Sequence, residues 1–241
     1  MSVFLSGVPY SLFPIPYSLF PVPCSLFPVP CSLFPIPYYM KWVYDNLDIQ
    51  TDLGFILQWI FVTLIGFLVS LIWIEIGERP DLGALEGAIG GLIISVAQWF
   101  VLKQYITQSW RWIFVHVFLW SIIAFTPLGL LGWVAPRTLS LTPRIIYGLI
   151  EGVKLGFCLS LGQWWVLRTE VFHAWRWMIA TTLAWGVALP IGWMFGAMMR
   201  QGTSFFLGDV LGLFLVWTIV AGLSSIALTR LLWYPLKPGD W

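Results

Sequence analysis

Six apolar stretches, each about 20 residues or longer, dominate this chain, and most of its charges fall in the gaps between them. They lie at 53–75, 82–103, 110–133, 145–168, 175–199 and 206–232. A bilayer core about 30 Å thick is crossed by about 20 residues of α-helix. Lipid offers the backbone no hydrogen-bond partners, so a stretch of this kind spans as a helix that satisfies its own backbone. The expected fold is therefore all-α: a polytopic membrane helix bundle of six transmembrane helices with short connections. Only 10% of the residues are charged, against about 25% in soluble domains, which leaves too few to cover a surface facing water.

The basic residues set an expected orientation, because cytoplasmic loops are enriched in Lys and Arg. Lys41, Lys103, Arg111, Arg168, Arg176, Arg230 and Lys237 fall on the side holding both termini, and Arg79, Arg137, Arg144 and Arg200 on the other. Seven against four places both termini in the cytoplasm. A net charge of +1 supplies no basic field for nucleic acid. Of the three cysteines, Cys24 and Cys31 sit in a repeated peptide and Cys158 in an apolar run, so no metal site or disulfide framework is expected.

The amino-terminal residues follow different rules. Four heptads run from Ser11 to Tyr38, SLFPIPY, SLFPVPC, SLFPVPC and SLFPIPY. Proline at the fourth and sixth places of each excludes an α-helix and favours extended polyproline-II-like chain. Residues 1–39 are thus expected to be a Pro-rich extension, and residues 40–241 the transmembrane domain. Near-identity of the heptads favours a translated DNA repeat over a stiff spacer or docking peptide, and they resemble translated tandem repeats of cyanobacterial genomes. No basic segment precedes them and prolines interrupt their apolar run, so the first span is expected to lead insertion. A chain beginning at Met40 should insert and remain stable.

The spans contain a repeat at one fixed offset, the separation of Gly83 from Gly148. Residues 83–103, GALEGAIGGLIISVAQWFVLK, align without a gap to 148–168, GLIEGVKLGFCLSLGQWWVLR. Trp110-Arg111-Trp112 and Trp120 align at the same offset with Trp175-Arg176-Trp177 and Trp185. Gln58-Trp59-Ile60-Phe61-Val62 resembles Arg111-Trp112-Ile113-Phe114-Val115, and the last span keeps Gly208 and Gly212 but no Gln-Trp pair. The expected architecture is three pseudo-repeated two-helix hairpins, the third degenerate, with a pseudo-axis along the membrane normal.

Gly83, Gly87, Gly91 and Ser95, and likewise Gly148, Gly152, Gly156 and Ser160, recur every four residues and form one ridge per helix. Small residues let membrane helices approach closely, so these eight are expected packing positions at the bundle centre. Gln98 and Gln163 lie on the same faces and suggest interhelical hydrogen bonds. Glu86, Glu151 and Lys154, together with Gln98 and Gln163, are candidates for a ligand site or polar cavity, because polar and ionisable groups within a membrane are costly and often functional. The competing reading places both carboxylates near the interface, favoured by the positive ends of their helices. Trp99, Trp164, Lys103, Arg168 and the two Trp-Arg-Trp runs read as interfacial anchors. His116 is a candidate haem or pigment ligand, but a single intramembrane His is not enough to predict a cofactor; His173 falls in a loop.

A Gly-rich helix ending in QW-x-VL-[KR] and followed by a Trp-rich helix resembles a family of multipass membrane proteins of cyanobacteria and other bacteria. The likeness covers about residues 53–232 and implies a multipass fold in a bacterial inner membrane or thylakoid, with no activity attached. Catalytic motifs such as GxSxG, HExxH and the nucleotide-binding glycine loops are missing from the sequence. The expected function is non-enzymatic: a structural, assembly or interaction protein whose partners are the lipid bilayer and other membrane proteins or a second copy of itself. The alternative is a small-solute or ion transporter using Glu86, Glu151 and Lys154.

Overall fold

The computed structural model describes residues 38–77, 82–203 and 205–232, with side chains from residue 53 onward except that of Thr203. The heptads up to Pro37, together with Glu78, Arg79, Asp81 and Lys237, lie outside the described residues, and the last heptad residue, Tyr38, opens the first helix. The chain falls into two compact units, 1–46 and 47–241. Of the first, residues 38–46 are helical. The second holds the architecture described below.

Six helices follow in order: α1 (Tyr38–Ser70), α2 (Ala84–Leu102), α3 (Trp110–Ala124), α4 (Leu141–Leu167), α5 (Trp175–Thr203) and α6 (Leu207–Leu232). No strand occurs among the described residues; one isolated bridge joins Gly77 to Val134. All helices except α3 contain a segment long and apolar enough to cross a membrane. The chain is an integral membrane protein, and its outward-facing residues agree with lipid contact: Phe61, Leu85, Phe114 and Phe118 are among the large apolar side chains left exposed.

Two helices differ from the predicted spans. α1 begins at Tyr38 rather than near residue 53. No Pro or Gly interrupts residues 38–52, a mixed polar and aromatic segment, so nothing local stops helix running ahead of the apolar segment. α3 ends at Ala124, nine residues before the predicted end at 133. Pro127 disfavours helical backbone at Thr126. The Thr126 hydroxyl then bonds Ile123 O at 2.7 Å, and Gly129 turns the chain with a φ of 57°. The segment beyond re-enters the protein: Leu130 and Trp133 are fully buried, Trp133 Nε1 donates to Ser70 Oγ at 2.8 Å, and Gly132 O accepts from Trp217 Nε1 at 3.0 Å. From Leu130 to Val134 the apolar chain is a buried plug, although its hydropathy reads as more helix.

α2 packs on α3, α4 on α5, α5 on α6, and α3 more lightly on α4. The glycine ridges lie at these contacts. A Cβ on Gly87 would stand 2.5 Å from Trp120 O, and one on Gly152 would crowd Trp185 O in the same way. Gly91 and Gly156 approach the backbone at His116 and at Thr181 and Thr182. Each ridge therefore faces the helix that follows it, except at Gly83, the N-cap of α2, where a Cβ would meet only Glu86 Oε2 of its own helix. Between α5 and α6 the approach is mutual, with Gly192, Gly196, Gly208 and Gly212 against one another. Ser95 and Ser160 are buried and bond back to their own helices, at Gly91 O (2.6 Å) and Phe157 O (2.8 Å).

The interior is stacked in aromatic layers. Trp59, Trp112 and Trp177 meet edge to face, with centroids 6.2 and 6.0 Å apart. Trp120, Trp133, Trp185 and Trp217 form a second cluster with Phe67, in which neighbouring ring centroids lie 5.0 to 6.3 Å apart. Such contacts bury large area and add about 0.5–1.5 kcal/mol per well-oriented pair.

Candidate functional site

A layer of buried polar groups adjoins the tryptophans. Residues two apart on a helix point to nearly opposite sides, so each Trp-Arg-Trp run has one outer and one inner ring. Trp110 and Trp175 are about half exposed, at 53% and 52%, whereas Trp112 and Trp177 are buried at 1%. The sequence reading of both runs as interfacial anchors is therefore corrected for the inner member of each pair.

The inner rings are hydrogen-bond donors. Trp112 Nε1 donates to Gln98 Oε1 at 3.0 Å, and Trp177 Nε1 to Gln163 Oε1 at 2.8 Å. Trp59 Nε1 donates to Ser224 Oγ at 3.0 Å, which brings α6 to α1. Each bond joins an odd-numbered helix to an even-numbered one, and the three link α2–α3, α4–α5 and α6–α1.

The donors also orient the amides. An indole N–H only donates, so the oxygen of each Gln faces its Trp and the NH₂ faces the other way. Gln98 Nε2 donates to Thr63 Oγ1 at 3.2 Å. Gln163 Nε2 lies 2.9 Å from His116 Nε2, which must accept. His116 Nδ1 then carries the proton and donates to Trp112 O at 2.9 Å. The imidazole is the Nδ1–H tautomer, and both its nitrogens are engaged within the protein.

Gln98, His116, Gln163, Thr181 and Ser224 line a central cavity of about 30 Å³, walled chiefly by the tryptophans. That space is near the volume that one or two waters require. It does not admit a solute of several heavy atoms.

The candidate carboxylates lie elsewhere. Glu86 Oε2 accepts the N–H of Gly83 at 2.9 Å and caps the first turn of α2. Glu151 pairs with Lys154 at 2.8 Å on the partly exposed side of α4. Although aligned in sequence, the two differ locally. Glu86 is in the first turn of its helix, whereas α4 starts at Leu141, about 15 Å of helix before Glu151. Neither Glu, nor Lys154, lines the central cavity.

A second polar cluster, near the starts of α4 and α6, went unrecognised in the sequence. Arg144 has no exposed side-chain surface and pairs with Asp209 at 2.8 Å, itself only 1% exposed. Arg144 also donates to Thr138 O (2.6 Å), Trp193 O (2.7 Å) and Pro136 O (2.7 Å). Arg200, a quarter exposed, takes the other Asp209 oxygen at 2.8 Å. The cluster ties α4, α5, α6 and the 136–138 loop together. Its legible signal was Asp209, an acid inside the last apolar stretch.

Basic and aromatic groups meet at the opposite end. Lys103 Nζ lies 4.8 Å from the Trp99 ring centre, Arg168 Cζ 5.2 Å from Trp164, and Arg111 Cζ 5.8 Å from Trp165. Glu170 bridges the two connections there, accepting from Thr107 Oγ1 at 2.5 Å and Gln108 N at 3.1 Å. Among the described residues no group of three or more His, Cys, Asp or Glu gathers in a metal-binding arrangement.

No family model, curated protein or solved structure matches the chain.

Proposed function

We propose that this protein is a non-enzymatic, structural or assembly component of a bacterial inner membrane or thylakoid. Its outer surface packs against lipid and against other membrane proteins. The single observation that carries this reading is the narrow, internally bonded interior. The amides, the imidazole and the tryptophan donors at the centre bond one another around a cavity of only about 30 Å³. A carrier needs a hydrated path to its polar groups, and the carboxylates proposed for one are each engaged on their own helix.

The bundle is proposed to cross the membrane six times, as three related hairpins with both termini cytoplasmic. α3 is the short member: its 15 residues make a helix of about 22 Å, and the chain beyond it turns inward to the buried Leu130 and Trp133. The hairpin reading is supported by the recurrence of the same donor–acceptor pair, Trp112 to Gln98 and Trp177 to Gln163, at the offset of the sequence repeat. The third bond, Trp59 to Ser224, has a shorter acceptor in the same role.

The experiment is purification of the full chain from its membrane in mild detergent, native mass spectrometry, and reconstitution into liposomes. The expected result is a defined membrane-protein or self-association partner and no flux above empty vesicles, using a pH-reporting dye for protons and light scattering for small neutral solutes. Flux that falls on Glu86→Gln or Glu151→Gln, in variants that remain folded, would establish the transporter reading in its place.

A further inference from the structure

The three tryptophan donors reach two glutamines and one serine, and the serine has a local consequence. In the first two cases the acceptor is an amide. Its oxygen takes the indole N–H and its nitrogen bonds the residue four positions after another inner Trp: Thr63 after Trp59, His116 after Trp112. The third residue of that set is Thr181, four after Trp177. Its counterpart across the interior is Ser224, which accepts from Trp59 and donates to Ala221 O at 3.2 Å. A serine has no amide nitrogen to extend toward Thr181. Thr181 is 2% exposed, its Oγ1 has no hydrogen-bond partner, and both Thr181 and Ser224 line the central cavity.

We infer that this cavity is a binding site for one or two water molecules, held by Thr181 Oγ1 and Ser224 Oγ where the other two positions use a glutamine amide. The volume, about 30 Å³, exceeds the ~10–15 Å³ that one water needs. The chemistry also fits, because a buried water persists where two to four polar groups converge on it. Thr181 both donates and accepts, and Ser224 Oγ retains a free lone pair. The amides of Gln98 and Gln163 and the His116 ring border the same space. A dry apolar filling would leave the Thr181 hydroxyl desolvated without compensation. The ligand is thus a small neutral hydrogen-bonding molecule, and the water is structural: it completes a polar layer. The inference does not depend on the proposed function, since it rests on Thr181, Ser224 and the space between them.

The sign of one substitution tests it. Thr181→Val keeps the shape and removes the hydroxyl. If the cavity is dry, the variant loses an unpartnered polar group and becomes more stable. If water is bound there, the variant removes a ligand and becomes less stable. Thermal unfolding of the full chain in detergent should show Thr181→Val melting lower by about 2–4 °C, the shift that a lost hydrogen bond produces in a protein of this size. An unchanged or raised melting temperature would overturn the site. A structure at high resolution decides independently of folding. Density within about 2.6–3.2 Å of Thr181 Oγ1 is expected, and an empty cavity refutes the inference.

Discussion

Replacing Asp209 with alanine should be among the most damaging changes available in this protein. Asp209 is 1% exposed at its side chain and faces two arginines at 2.8 Å each. The Arg144 half dominates. Arg144 has no exposed side-chain surface, so without its carboxylate it becomes an uncompensated buried charge, which typically costs about 3–5 kcal/mol. Arg200 is 25% exposed, so water takes over part of its solvation and its share is within the ~0–1 kcal/mol of exposed pairs. The expected loss is about 3–5 kcal/mol, or roughly 6–20 °C in melting temperature for a domain of this size. The assay is reversible denaturation in mixed detergent micelles, run as a cycle with Arg144→Met. Because Arg144 also serves three carbonyls, the double variant should recover only part of the loss, with a coupling energy of about 2 kcal/mol or more. A loss below about 1 kcal/mol, the level of a surface ion pair, would refute the burial argument.

Two further substitutions follow from the packing, and one from the polar layer. Gly152→Ala would press a methyl group against Trp185 O and should destabilise by about 1–3 kcal/mol. Gly222→Ala, with nothing within 4 Å, should be neutral or stabilising by up to about 1 kcal/mol; equal effects in micelle denaturation would refute the close-contact assignment. Gln163→Leu leaves Trp177 Nε1 and His116 Nε2 without partners and should cost about 1–3 kcal/mol for each orphaned group. Stability unchanged to within about 0.5 kcal/mol, the range of an inconsequential surface substitution, would count against the polar layer.

The span positions were legible because a membrane helix has one overriding requirement, an unbroken apolar run, and five of the six stretches meet it. The starts of α3 and α5 fall at the predicted Trp110 and Trp175. What hydropathy conceals is the difference between helix and buried irregular chain. Residues 125–134 are largely apolar in either case, and Pro127, Gly129 and Gly132 alone mark the change. The polar centre was half legible. Gln98 and Gln163 stood out through the repeat, but their donors were masked by the usual interfacial reading of tryptophan. Spacing alone could have separated Trp110 from Trp112, since two residues turn a helix by about 200°. Arg144 was the least accessible. An arginine near a helix start is normally solvated by headgroups, and its burial depends on an acid two helices further along the chain. Glu86 and Glu151 show the limit of a repeat: alignment equates them, yet α4 starts at Leu141, well before its copy of the motif, so only Glu86 can cap a first turn.

The narrowness of the interior is tested most directly by thiol accessibility at the cavity itself. Thr181→Cys, in a chain whose Cys24, Cys31 and Cys158 are replaced by serine, places one thiol on the cavity wall. Intact membrane vesicles would be treated with a charged, membrane-impermeant thiosulfonate from each side in turn. The account predicts labelling only after denaturation, because no reagent of that size enters a cavity of about 30 Å³. Labelling in the folded protein, at the rate of an exposed control cysteine, would reveal a hydrated path through the bundle and contradict the structural role.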